Sequence, residues 1–267
     1  MKAYSLSHKR FLQKLRLNSF FTHFFRIFIL ILLFLLWELV ANSGLVDPFI
    51  TSSPSRIINA LIDLYNSGNL IYHTFVTFYE TMLAFIISTL LGLVIALVLY
   101  IISPVRKILE PYLVVLNSLP KVALGPLIIV WVGAGTKAII AMGFLICIVV
   151  TTISILNGFL EVEEEKILLF KTMGASPYQI LFRLILPASL PNIIAVLKIN
   201  VGLAWVGVIM GEYLNSSAGL GYLIVYGGQI FKLDLVMASI LVLCLMASLM
   251  YFIIAGIELI INKKRNK

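Results

Sequence analysis

Residues that do chemistry are sparse in this chain, and their spacing excludes more than it supplies. The three histidines, His8, His23 and His73, lie far apart, and no His-Glu or Cys-His spacing forms a metal set. Gly133-Ala134-Gly135-Thr136-Lys137 has the residue types of a phosphate-cradling loop. It lacks the Gly-x4-Gly-Lys-Ser/Thr spacing that aims backbone N–H groups at phosphates, so it reads as a turn between two apolar runs. Cys147 and Cys244 sit in apolar runs without motif spacing, which predicts packing rather than a disulfide or a metal site. No catalytic residue, metal or cofactor is expected on this chain. What remains are polar groups inside or beside apolar runs: Glu80, Lys121, Lys198, Asn200 and Glu212. A charge in hydrocarbon costs ~2.5–3.5 kcal/mol by insertion scales, so such groups face a cavity or a partner. Glu80, Lys121, Asn200 and Glu212 are therefore the candidates for a path through the chain, and Pro120, which removes a helix hydrogen bond, favours a break beside Lys121. The plainer readings stand beside that one: a Glu bonded to a neighbouring helix or solvated at the interface, and a Lys snorkelling to the surface. Lys198 also suits snorkelling, which leaves Asn200 as the better path-facing group of its run.

Positioning these groups requires helices, and one polar stretch, residues 158–191, shows how two of them begin and end. Glu161, Glu163, Glu164 and Glu165 suit the positive end of a helix dipole, and Lys166 and Lys171 suit its negative end. Gly174 then breaks the helix, Ser176 can cap a second one with Pro177 at its first position, and Leu186-Pro187 is expected to stop it. Ile180, Leu181, Leu184 and Ile185 share one face of that second helix. The sequence thus predicts two short helices joined by a tight turn between two apolar runs, a surface built to be gripped.

The chain is 61% hydrophobic and 12% charged, with a mean hydropathy of +1.07, too oily for a soluble domain of 267 residues. A membrane span needs about 20 predominantly apolar residues. Six spans are expected, at 27–41, 75–102, 112–132, 138–156, 192–211 and 235–261, after an N-terminal tail over 1–26. The fold class is accordingly all-α and polytopic, with a membrane domain over 27–267. No small-residue cleavage site follows Trp37-Glu38 and the first run exceeds a signal core, so it reads as a retained span. Residues 43–71 form the main outer loop, expected as short amphipathic pieces. Gly207 and Gly211, four apart on one helix, permit close backbone approach within the chain or across a dimer.

The net charge of +8 is distributed as topology signals rather than as a nucleic-acid surface. Fifteen basic residues fall on one side: Lys2, Lys9, Arg10, Lys14, Arg16, Arg26, Arg106, Lys107, Lys166, Lys171, Arg183, Lys263, Lys264, Arg265 and Lys267. Three fall on the other: Arg56, Lys137 and Lys232. By the positive-inside rule the fifteen are cytoplasmic, which puts both termini and the polar stretch there, in a multi-pass protein of the plasma membrane.

Gly174-Ala175-Ser176, Ile185-Leu186-Pro187-Ala188 and Leu190-Pro191 resemble the cytoplasmic coupling loop of binding-protein-dependent ABC importer permeases. Leu119-Pro120-Lys121, Pro126-Leu127, Trp131-Val132-Gly133, Ala204-Trp205, Glu212 and Gly219-Leu220-Gly221-Tyr222 extend the resemblance to the branch serving nitrate, taurine and alkanesulfonates. Relatives of this kind also carry pyrimidine-type vitamin precursors. The resemblance implies a type I importer permease, non-enzymatic itself, acting with a second permease copy, two ATP-binding subunits and an extracytoplasmic substrate-binding protein. ATP would be used by the ATPase alone. It also implies coupling residues: Leu168, Leu169 and Phe170, which occupy the positions of the family's Glu-Ala-Ala triplet, with Gly174, Ala175, Ser176, Pro177 and Pro187. Because the triplet is apolar here, Phe170 is expected to be its main anchor in the ATPase groove. The rival class is a stand-alone channel or ion-coupled carrier; no internal repeat supports duplicated carrier halves.

Overall fold

The computed structural model describes residues 6–43 and 52–265, with side chains described from residue 21 except at 23, 264 and 265. The described residues form helices joined by short turns: α1 (Leu6–Asn42), α2 (Pro54–Asn66), α3 (Asn69–Ile101), α4 (Ser103–Ser118), a 3-10 turn (Lys121–Leu124) and α5 (Gly125–Val132). There follow α6 (Thr136–Leu160), α7 (Glu164–Thr172), α8 (Pro177–Asn215), α9 (Leu220–Gln229) and α10 (Leu233–Arg265). Of these, α1 over Phe24–Asn42, α3, α6, α8 and α10 are long and apolar enough to cross a membrane.

Helix α3 shows why the bundle forms. Thr77, Glu80, Ala84, Ser88, Gly92 and Ala96 recur every three or four residues and are all buried. On its other faces Ile86, Leu90, Val94 and Val98 are exposed. Lipid solvates large apolar side chains as well as a protein core does, so the bundle gathers what lipid does not favour, namely small and hydrogen-bonding side chains. Helix α6 lies between α3 and α8 and makes the most extensive packing of the fold with both.

Small residues set the spacing of these three helices. A Cβ on Gly92 would lie 2.6 Å from Cγ2 of Thr151, and one on Gly143 would lie 2.8 Å from Cβ of Ala84. On the opposite face of α6, a Cβ on Gly207 would lie 2.6 Å from the Gly143 Cα, and one on Gly211 2.9 Å from the Ile139 Cα. The Gly207 and Gly211 pair therefore packs α8 on α6 within the chain. The buried hydroxyls spend their hydrogen bonds locally: Thr151 Oγ1 donates to the Cys147 carbonyl at 2.7 Å and Thr152 Oγ1 to that of Ile148 at 2.8 Å.

Two expectations need correction. The third span, expected at 112–132, is a bent pair: α4 and the segment Lys121–Val132 meet at an angle of 85° around Leu119-Pro120. Pro120 lacks an N–H and disfavours α geometry at Leu119, whose φ/ψ of −66/137° is extended. Among the described residues five helices are thus long and apolar enough to span, or six if the bent pair crosses as one. Second, Leu186-Pro187 does not stop a helix. Residues Leu181–Ile185 open into a π turn in which the Leu186 N–H bonds the Leu181 carbonyl, and the helix continues to Asn215. The wider turn falls where Pro187, without an N–H, leaves the Arg183 carbonyl unclaimed. The N-terminal stretch is helical from Leu6 and α1 runs on into its span; residues 1–5 lie outside the described ones. The outer loop contains the amphipathic α2, which buries Ile57 and Leu64, while residues 44–51 lie outside the described ones.

If backbone contact at Gly207 sets the α6–α8 distance, Gly207→Ala should lower the stability of the detergent-purified chain by about 1–3 kcal/mol through overpacking. A thermal unfolding assay should show that loss. Gly256→Ala, where an added Cβ meets nothing within 4 Å, should leave the transition unchanged.

Candidate coupling surface and translocation path

The polar stretch folds as its residue types direct. Glu164 and Glu165 lie in the first turn of α7 and Lys171 in its last. Beyond it the Ala175 N–H bonds the Phe170 carbonyl and the Gly174 N–H bonds that of Lys171, both at 3.0 Å, which is a Schellman ending. That ending needs a left-handed residue, and Gly174 has φ +75°. Ser176 then opens α8 with a reciprocal cap: its Oγ accepts from the Gln179 N–H at 3.3 Å, and its own N–H donates to Gln179 Oε1 at 2.8 Å. Pro177 takes the first helical position.

The loop is tied to the bundle at its base and along its inner face. Ser189 Oγ donates to the Gly158 carbonyl at 2.8 Å, and Asn192 Nδ2 to that of Ser154 at 2.9 Å, closing the loop between α6 and α8. Ile180, Leu181 and Ile185 are buried in one apolar cluster with Leu99, Ile155 and Phe159, and Leu184 packs at its edge. Phe170 and Ala175 pack against the same cluster, as the two ends of a Schellman motif commonly do. Phe170 is therefore turned toward the chain's own core.

The outward face is apolar as well. Leu168 is 62% exposed, Met173 76% and Tyr178 69%, with Leu169 and Phe182 also exposed. The Tyr178 and Phe182 rings lie 4.4 Å apart. Met173, Tyr178 and Phe182 were not singled out from the sequence; the available signal was the four-residue spacing of Tyr178 and Phe182, which sets both rings on one helix face. Ser176, Pro177 and Pro187 are exposed, and Gly174 has open space where a Cβ would be.

The path candidates separate into different roles. Asn200 is fully buried between helices and donates from Nδ2 to Thr151 Oγ1 at 2.6 Å, which ties α8 to α6, while its Oδ1 has no donor from the chain. Glu80 and Glu212, each 1% exposed, are inside the bundle; Glu212 also borders a recess of about 550 Å³ at the α8–α9 turn. Lys121 is half-buried at the bend, where Nζ donates to the Asn117 carbonyl at 3.1 Å near the end of α4. Lys198 does not snorkel: its Nζ meets Glu258 Oε2 of α10 at 2.8 Å. Arg56 of α2 pairs likewise with Asp234 of α10 at 2.8 Å. The Gly133 to Gly135 stretch is a turn between α5 and α6, with both glycines at positive φ. Among the described residues no group of His, Cys, Asp and Glu is arranged to hold a metal.

Residues 88–267 match the family model described as the binding-protein-dependent transport system inner membrane component. The chain belongs to this family. It is 32% identical, over 82% of its length and 89% of the relative's, to the probable ABC transporter permease protein of Haemophilus influenzae. It is 27% identical to the taurine transport system permease protein TauC of Escherichia coli, over 83% of this chain and 82% of that one. Its fold is that of a chain of the MetNI methionine ABC transporter, solved in inward-facing conformations, with a TM-score of 0.65, 21% identity and coverage of 73% of this chain and 97% of that one. This ABC permease thus carries a membrane bundle with an anchored loop whose outer face is apolar.

In this permease the Asn200–Thr151 bond joins the two helices that carry the ends of the loop. Asn200→Ala removes a buried hydrogen bond and should destabilise the chain by about 0.5–2 kcal/mol in thermal unfolding. Because Asn200 has no surface, relative transport rates of competing solutes should be unchanged by the substitution.

Proposed function

We propose that the chain is the translocating subunit of an ABC importer in the plasma membrane, paired with a second copy. Two separate ATPases grip its loop from the cytoplasm and a substrate-binding protein delivers the solute from outside. The solute is small, of the nitrate, sulfonate or taurine kind or a pyrimidine-type vitamin precursor. The observation that carries the reading is an exposed apolar face on a loop that is itself fixed to the inner ends of α3 and α6. A patch of that kind marks an interaction site, and its rigid seating lets a pull on the loop move the spans.

Leu168, Leu169 and Met173 are the proposed anchors, each worth ~1.5–3 kcal/mol when covered by a partner. Phe170, Gly174, Ala175, Ser176, Pro177 and Pro187 shape the loop that presents them. Copurification tests this division. Leu168→Ala with Met173→Ala should release the ATPase at low and high salt alike, because apolar contacts are not screened. Wild-type amounts of ATPase on that variant would show that the loop docks by another face. Gly174→Val forces a branched side chain into left-handed geometry at about 1–2 kcal/mol. It should lower solute-stimulated ATP hydrolysis in the reconstituted transporter while leaving the chain in the membrane.

The cytoplasmic placement is supported by the fifteen-to-three charge asymmetry. Arg106, in the first turn of α4, and Lys171, in the loop, border the same recess of about 770 Å³, so two of the charge clusters share one side. Single cysteines at Glu165 and at Asn69, introduced with Cys244 replaced, should differ in labelling by an impermeant thiol reagent on intact cells. Only the Asn69 position should react, and labelling at Glu165 from outside would reverse the orientation.

A further inference from the structure

At the end of the bundle opposite the loop, four helices meet around two carboxyl groups. Glu80 of α3 and Glu212 of α8 are both 1% exposed and lie within hydrogen-bonding reach of each other. Thr136, the first residue of α6, lies beside Glu80, and Thr77, one turn before Glu80, donates its hydroxyl to the His73 carbonyl at 3.2 Å. Glu80 Oε2 and Glu212 Oε1 have no donor from the chain. No lysine or arginine pairs with either group; the ion pairs of the described residues are elsewhere. The other titratable groups facing the pair are His73 of α3 and Tyr213 of α8, with Tyr222 of α9 stacked on His73 at 5.8 Å.

The same cluster holds the start of α9. The Gly219 N–H donates to His73 Nδ1 at 2.9 Å, the Leu220 N–H to Thr77 Oγ1 at 2.7 Å, and the Gly221 N–H to Glu212 Oε2. Glu212 occupies the space that side chains on residues 219 and 221 would fill, so both are glycine. Three consecutive backbone donors of one helix end are thus claimed by α3 and α8.

We propose that Glu80 and Glu212 hold one proton between them, forming a proton-binding site that latches the start of α9 to α3 and α8. Two carboxylates have only acceptors, so a hydrogen bond between them exists only when one carries a proton. Without it, two negative charges would face each other in a membrane interior with no cation beside them. Glu212 also borders the recess lined by Asn215, Tyr222, Tyr226 and Gln229, which gives the proton a route to and from water. Loss of the proton removes the Glu80–Glu212 bond, sets the two charges against each other and frees the α9 end. Closed, the latch makes one unit of α3, α8 and α9; open, it lets α9 move at the mouth of the recess.

Infrared spectroscopy of the full chain in lipid nanodiscs, with its ATPase bound, tests the proton directly. The wild type at about pH 7 should show the carbonyl band of a buried protonated carboxyl, and that band should disappear in both Glu80→Gln and Glu212→Gln. In either variant an amide donor meets the remaining carboxylate and no shared proton is needed. Hydrogen exchange tests the latch. From about pH 6 to about pH 9, after correction for intrinsic rates, exchange at residues 219–223 should rise several-fold in the wild type and stay flat in Glu80→Gln. The isosteric amide keeps the packing, and equal thermal transitions of wild type and variant verify this. A wild type without the band, a band of full intensity in both variants, or sodium-dependent stabilisation in its place would overturn the shared proton. Equal pH dependence of exchange in wild type and Glu80→Gln would overturn the latch.

Discussion

Water is missing from the hydrocarbon core, and the rest of this structure follows from that. Polar side chains and close backbone contacts must find partners inside the protein, while large apolar side chains are free to face lipid. Helix α3 therefore turns Thr77, Glu80, Ser88 and Gly92 inward and Leu90 and Val94 outward. Helix α6, with small or hydroxyl residues on two faces, becomes the centre against which α3 and α8 pack. Lys198 on Glu258, Arg56 on Asp234 and the Asn200 Nδ2 on Thr151 are further cases of polar groups paired between helices. The ionisable groups of a permease need not mark its pathway; here several mark its joints.

The coupling loop obeys a different constraint, because its outer face is not covered within the chain. A Schellman ending at Gly174 and a capping box at Ser176 and Gln179 close two helix ends within a few residues, leaving few backbone groups unsatisfied. The apolar residues of the loop then divide. Ile167, Phe170 and Ala175 join Ile180, Leu181 and Ile185 against the inner ends of α3 and α6, and Leu168, Leu169, Met173 and Tyr178 remain exposed. Inward packing seats the loop on the bundle, and outward exposure leaves an apolar surface free to meet a partner. The π turn at Leu181–Ile185 joins the loop to the long helix α8 without a break, so displacement of the loop acts directly on a span.

The two ends of the bundle are built differently. Near the loop the core is apolar, centred on Leu99, Ile155, Phe159 and Ile185. At the far end the buried groups include His73, Thr77, Glu80 and Glu212, and the short helix α9 is held through its backbone N–H groups. Apolar packing is insensitive to ionic conditions, whereas a hydrogen-bonded carboxyl pair responds to protons. The end beside the loop is thus joined by apolar packing and the opposite end by hydrogen bonds.

The sequence by itself determined the class, the number of apolar runs to within one, and the local chemistry of the loop. Glutamates before lysines, Gly174, Ser176 and Pro177 act on their own backbone neighbourhood, so their roles could be read without a fold. The break at Pro120 was legible for the same reason, since proline acts on adjacent residues. Pro187 misled because a helix can absorb the missing N–H by widening into a π turn, and that is decided by the packing of Ile180, Leu181 and Ile185. For Asn200 and Glu80, composition marks a polar residue in a span but not the direction it faces. That direction depends on which helix lies opposite, and only the tertiary structure set Thr151 against Asn200 and Glu212 against Glu80. Phe170 was turned inward by the Schellman geometry together with the cluster at Phe159, a contact between elements that local periodicity does not encode.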